Sequence, residues 1–249
     1  MDGIRFFNAG EQGLVVEFGA SIDPGVNRRV HTTAALIGAA GIPGVHEVVP
    51  TYRSLLIYFD PLTINRRQLI ENVRLLLADT GAGQAEVSAK VIEIPVAYGG
   101  EHGPDLDFIA GHTGLAPEEI VAIHTSVPYL VYMLGFTPGF PYLGGMSERI
   151  AAPRLVQPRT AIPSGSVGIA GTQTGIYPVA SPGGWQIIGR TPVKLFDPAA
   201  AEPFLFAAGD YLQFKAVSAA DYAAIGAQVA AGGYKPVTRS AADKGGEVQ

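Results

Sequence analysis

Apolar positions in the first 85 residues change period several times, and each change marks an element. Leu14-Val15-Val16-Glu17-Phe18 is a short run of strand type. Val26, Val30, Ala34 and Ile37 then recur at helical spacing. They follow Asp23-Pro24, an N-cap residue and a proline suited to the first helical position. The helical pattern stops in the glycines between Gly38 and Gly44. Val45–Val49 and Leu55–Phe59 predict two strands about a turn at Pro50–Arg53. Leu69, Val73 and Leu76 predict a second helix that begins near Asn65 and ends at Gly81. The order β-α-β-β-α is a split β-α-β pattern. Residues 1–84 are therefore expected to form a small α+β domain, with Thr80–Gln84 (TGAGQ) as a link to the rest of the chain.

The pattern beyond residue 89 is different. Val91–Val96 predicts a strand, and Pro104–Gly114 and Pro117–Thr125 predict two short helices. Pro117, Glu118 and Glu119 suit the N-terminus of the second helix, and His124 lies at its C-terminal end. Val127–Leu134, Ser166–Ala170, Val193–Phe196 and Tyr211–Val217 read as strands, and Ala219–Ala230 as a helix. Residues 89–222 are thus expected to be mainly β. From Gly232 to Gln249 there is little to bury, which predicts a disordered tail over 232–249.

Between Gly135 and Arg190 the chain holds eleven of its 32 glycines and seven of its 19 prolines. That density excludes regular helix. Phe136, Phe140, Tyr142, Tyr177 and Trp185 exclude a featureless linker. The charged residues here are Glu148, Arg149, Arg154, Arg159 and Arg190, a local net of +3 in a chain of net −5. Arginine forks suit carboxylates, and glycine turns can aim backbone N–H groups at an anion. A pocket for a small anionic or amide ligand is one reading. A loop-rich β-domain with arginines on its rim is the other.

Composition narrows the chemistry. With 47% hydrophobic and 16% charged residues the chain is of globular type. A pI near 5.5 argues against nucleic-acid binding. The absence of cysteine excludes a thiolate nucleophile, and the five histidines include no H-E-x-x-H pair, so no metal site is expected. The sequence has no G-x-x-x-x-G-K-[ST], and Gly168–Gly175 lacks dinucleotide-loop spacing, so no cofactor is expected on this chain alone. Ser164 and Ser166 sit in PSGSVG, which is not a nucleophile elbow. With neither a signal-peptide core nor an apolar run of bilayer length, a cytoplasmic location off the membrane is expected. Gln173, Thr174 and Tyr177 form a polar cluster that can orient an amide or carboxylate. His124 is the candidate acid–base. Tyr52-Arg53 reads as an exposed turn pair.

The chain resembles the B-subunit family of bacterial 5-oxoprolinase, a family also called KipI-type kinase inhibitor and allophanate hydrolase subunit 1. The resemblance rests on Gly135-Phe136 with Pro138–Leu143, Pro153-Arg154, Pro158-Arg159, Pro163–Gly171, Gln173–Pro178, Ser181–Trp185 and Gly189–Pro192. It covers about residues 4–222 and implies a cyclophilin-like β-barrel behind a small α+β domain. It also implies partner subunits C and A, and use of ATP by the complex to open 5-oxo-L-proline to L-glutamate. Inhibition of a sensor histidine kinase, or a place in urea or allophanate metabolism, are alternatives within the same family. A prolyl isomerase is suggested only by the implied barrel. The candidate substrate-binding set is Arg159, Ser164, Ser166, Gln173, Thr174, Tyr177 and Arg190, with His124 as the catalytic candidate.

Overall fold

A computed structural model describes residues 3–79 and 89–241. They fall into two compact units, Met1–Val87 and Ser88–Gln249. The expected link Thr80–Gln84, and the expected helix end at Gly81, lie outside the described residues.

In the N-terminal unit, β1 (Arg5–Ala9), β2 (Gly13–Glu17), β3 (Val45–Pro50) and β4 (Ser54–Phe59) form one antiparallel sheet in the order β1-β2-β4-β3. The helix α1 (Pro24–Ala40) connects β2 to β3, and β4 is inserted between them, which is the split β-α-β arrangement. Asp23 caps α1 by accepting from the Val26 amide at 3.0 Å, and Pro24 occupies its first turn. Gly41 ends it in the left-handed region at φ 54°. Leu14, Val16, Leu55, Ile57 and Phe59 alternate onto one face of the sheet. There they bury Val30 and Ile37 of α1 and Leu69 and Val73 of α2 (Arg66–Asp79). The strand β1 is an addition to the expected elements. Four of its five residues are exposed, so it shows no alternating apolar signal. The turn at Tyr52-Arg53 is held from below by buried Asn27, whose amide donates to the Thr51 and Tyr52 carbonyls at 3.1 Å each. Arg53 pairs with Glu17 at 3.0 Å.

The C-terminal unit is a near-closed barrel, as the cyclophilin-like expectation requires. Its strands are β5 (Lys90–Tyr98), β6 (Tyr129–Leu134), β7 (Pro141–Gly144), β9 (Ser166–Ala170), β10 (Gln173–Ile176), β12 (Gln186–Arg190), β13 (Tyr211–Ala216) and β14 (Thr238–Ser240). The order is β10-β9-β12-β5-β13-β6-β7, with β14 on β5. β7 and β10, at the two ends of that order, lie beside each other. A separate ribbon pairs β8 (Arg159–Ile162) with β11 (Ser181–Gly183). Two short helices, α3 (Leu106–Thr113) and α4 (Pro117–Thr125), set Leu106, Ile109 and Ile120 into the core against Ile94, Val96, Val131, Ile169 and Phe214. α5 (Ala219–Ala230) follows β13.

Two expectations change here. Val193–Phe196 is not a strand: between Pro192 and Asp197-Pro198 it makes only an isolated bridge from Phe196 to Phe204. The Val193 amide turns back to the Thr191 hydroxyl at 3.2 Å, and the pairing that remains is the short contact of Leu195 and Asp197 with Leu205 and Pro203. The tail expected to be disordered from Gly232 is ordered as far as Ala241. Tyr234 packs against the core and Thr238–Ser240 pairs with β5. Backbone pairing with an open strand edge supplies what the side chains do not. Residues 242–249 lie outside the described residues. No helix among the described residues is long and apolar enough to cross a membrane.

Candidate functional site

The β9–β10 hairpin sorts the candidate residues onto two faces. Thr174 lies opposite Ile169, and both Ile169 and Ile176 point into the barrel core. Alternation sends Gly175 and Tyr177 the other way. There Tyr177 joins Ile162, Ile187 and Trp185 in a second, smaller cluster. Gly175 permits this approach: a β-carbon at that position would stand 3.2 Å from the rings of both Phe140 and Trp185.

On the inner face, His124 is fully buried at 0% exposure. Its Nδ1 is 2.8 Å from the Tyr98 hydroxyl and its Nε2 is 2.8 Å from Thr174 Oγ1. Thr174 in turn donates to the Gly168 carbonyl at 3.1 Å. That last bond fixes the direction of the others. Thr174 accepts from His124 Nε2–H, and Nδ1 accepts from the Tyr98 hydroxyl, so one neutral tautomer satisfies the whole chain. The ring also lies 4.3 Å from that of Phe214, at the centroids. Burial pushes the imidazole down from its ordinary 6.5 to about 3, and drives the Tyr98 hydroxyl far up. This is the electrostatics of a neutral structural linkage between α4, β5 and β10.

On the outer face, Arg159 makes a two-pronged pair with Asp105. Nη1 reaches Oδ2 at 2.9 Å and Nη2 reaches Oδ1 at 2.7 Å. Asp105 also accepts the Ile187 amide at 2.6 Å, and its own amide donates to the Ile187 carbonyl at 2.9 Å. Within the Gly135–Arg190 stretch Glu148 is the one acidic residue. The partner of Arg159 comes from outside it, at the N-terminus of α3, 54 residues earlier. Ser164 donates to the Pro178 carbonyl at 2.7 Å, and Arg190 Nε donates to the Ser164 carbonyl at 3.0 Å. Ser166 is buried in β9, and its carbonyl accepts the Tyr177 amide at 2.9 Å. Gln173 is half-buried at the start of β10, opposite Ala170.

Tyr177 lies at the centre of this outer group. Burial raises its hydroxyl pKa. A hydrogen bond with the Trp185 backbone and the nearby charges of Arg154 and Arg159 oppose that rise. The structure thus brings Arg159, Ser164, Tyr177 and Arg190 together on one side, and Thr174 and His124 on the other. His124, through Thr174, and Tyr177 thus lie on opposite faces of β10.

Three further residues matter here. Asp105 gives no signal in the sequence, because pairing across 54 residues leaves no local pattern. Arg154 shows in the sequence only as part of a motif. It is exposed, its charge reaches Tyr177, and among the described residues it makes no hydrogen bond or ion pair. Phe136 holds φ 66°, the one positive φ outside glycine among the described residues, and keeps 70% of its surface exposed. A bulky residue in the left-handed region marks strain that the surrounding structure must impose. Next to it the Thr137 hydroxyl is buried without a partner, as is that of Ser181. Phe136 meets Phe140 edge-on at 5.7 Å, and Phe140 meets Tyr177 and Trp185 at 5.8 and 5.9 Å. An aromatic tier therefore runs from the exposed loop to the Tyr177 ring.

Residues 4–206 match the family model described as carboxyltransferase domain, subdomain C and D. The chain is 46% identical over 223 residues to the 5-oxoprolinase B subunit of Bacillus subtilis, covering 86% of this chain and 92% of the relative. Among solved structures, that of TTHA0988 superposes with a TM-score of 0.73 at 37% identity. The match covers 83% of this chain and only 40% of that longer one. The urea carboxylase of Kluyveromyces lactis superposes with a TM-score of 0.77 over 96% of this chain and 24% of its own. At 22% identity that likeness is one of fold. Motifs, barrel and relatives agree: the chain belongs to the carboxyltransferase subdomain C and D family, in company with the bacterial 5-oxoprolinase B subunits.

Proposed function

We propose that this chain is the B subunit of an ATP-dependent 5-oxoprolinase that opens 5-oxo-L-proline to L-glutamate together with subunits A and C. The observation that carries the reading is the 46% identity over 92% of the Bacillus subtilis B subunit. The missing P-loop motif fits a division of labour in which another subunit handles ATP. Within this chain the ligand-facing group is the outer one. Arg154 offers its guanidinium to the lactam's carboxylate. Tyr177 and Gln173, which alternation along β10 puts on the same side, orient the ring amide. Arg159 and His124 serve as scaffold, the first locking β8 to α3 and the second joining the barrel's inner wall.

The purified chain alone is expected to show no oxoproline-dependent ATP hydrolysis, and addition of subunits A and C to restore it. Turnover by the lone chain would refute the dependence. A reconstituted complex active on urea or allophanate but not on oxoproline would replace the substrate. In the active complex, Arg154→Ala is expected to raise the KM for oxoproline about 10- to 100-fold, the effect of losing a charge-assisted bond of about 1.5–3 kcal/mol. The melting temperature is expected to stay within a degree or so, because Arg154 holds nothing in the free chain. An unchanged KM would remove Arg154 from the site.

A further inference from the structure

We propose that the edge of β5 from Lys90 to Glu93 is a strand-binding site, which this chain fills with its own C-terminal segment and which an extended peptide of like sequence can occupy instead. The observation is how β5 shares its two edges. One edge pairs in parallel with β13 from Val91 to Val96. The other pairs with β12 only at Ala97 and Tyr98. The remaining half of that second edge would expose backbone N–H and C=O groups between Val91 on one face of the sheet and Ile92 and Ile94 on the other, all three buried. It is covered by β14, antiparallel, with Thr238 opposite Ile92, Arg239 opposite Val91 and Ser240 opposite Lys90.

The cover is held chiefly by its backbone. Glu93 N–H donates to the Val237 carbonyl at 2.9 Å, and Ala241 N–H donates to the Ala89 carbonyl at 2.8 Å. All three side chains of β14 are exposed, and Val237 is largely so. α5, which leads into the segment, has no buried residue. Gly232 and Gly233 then give the connection its freedom. The family match ends at residue 206, so helix and strand lie beyond it. Main-chain pairing with little side-chain burial is how an extended peptide adds to a sheet. Tyr234 is the side chain of this segment that packs against the core, so departure of the strand frees that ring together with the backbone ladder.

The test uses a chain ending at Gly233 and the synthetic peptide Tyr-Lys-Pro-Val-Thr-Arg-Ser-Ala, residues 234–241. The peptide is expected to bind the shortened chain saturably and the full chain much more weakly. A peptide carrying Arg239→Pro should not bind, because the register puts the Arg239 amide in the ladder with those of Glu93 and Ala241. Equal binding of the two peptides, or none by either to a folded shortened chain, would overturn the proposal. Should the shortened chain not fold, hydrogen exchange on the full chain decides. The Glu93 amide, which faces β14, is expected to exchange at least about tenfold faster than those of Ile92 and Ile94, which face β13. Exchange of all three together, through global unfolding only, would overturn it.

Discussion

Asp105→Ala is expected to lower the stability of the C-terminal unit by about 3 kcal/mol. For a unit of this size that corresponds to a drop in melting temperature on the order of 10 °C. Two losses combine. The Arg159 guanidinium keeps its place with its partner gone, and the Ile187 amide, in a buried strand, loses its acceptor. The figure is held to the lower end of the range for buried pairs because Arg159 is 33% exposed and water screens part of its charge. Arg159→Ala is expected to destabilise by less, since Asp105 retains the Ile187 bond. A double-mutant cycle measured by thermal unfolding should return a coupling above about 1 kcal/mol between the two residues. If Arg159→Ala leaves the melting temperature unchanged, the pair is not structural and Arg159 becomes a candidate for the ligand again.

Acid is expected to unfold the C-terminal unit through His124. Its folded pKa is depressed from 6.5 to about 3, so between those values the unfolded chain binds a proton that the folded barrel refuses. Stability therefore rises with pH across that window and is lost as pH falls from about 6.5 toward about 3, by an amount on the order of 4 kcal/mol. His124→Gln should remove that slope. At neutral pH the same change is expected to cost about 2–3 kcal/mol, because Gln cannot meet both Tyr98 and Thr174 at the spacing of the ring. Urea midpoints measured from pH 4 to pH 8 on both proteins check the prediction. An equal decline in the two would assign the acid sensitivity to other groups.

The contrast between these residues shows what a sequence can carry. Asp23-Pro24, the helical periods of α1 and α2 and the apolar runs of β2, β4 and β5 are local signals, and the elements follow them closely. Thr174 and Tyr177 stand out in the sequence as polar positions among glycines. Alternation along β10 puts them on opposite faces, and the faces become known only when the hairpin register is known. Arg159 misleads for the opposite reason. Its partner lies in a different element, and no property of the Pro158-Arg159 motif points to Asp105. β1 and β14 are illegible in the sequence because both are exposed strands recruited by backbone pairing, which leaves no mark in the side chains.

The parallel pairing of β5 with β13 bears on how the molecule is made. The Lys90 amide donates to the Asp210 carboxylate across 120 residues of chain. During synthesis β5 emerges with Ile94 and Val96 ready for burial, yet its principal neighbour has not been translated. The N-terminal unit has every strand of its own sheet by residue 59 and can fold early. The barrel must wait until Ala216 has left the ribosome. Pairing β5 with β13 closes a long loop, which slows folding and leaves an apolar strand open to wrong pairings in the meantime. Demand for chaperone protection should accordingly be concentrated in the interval between the emergence of β5 and that of β13.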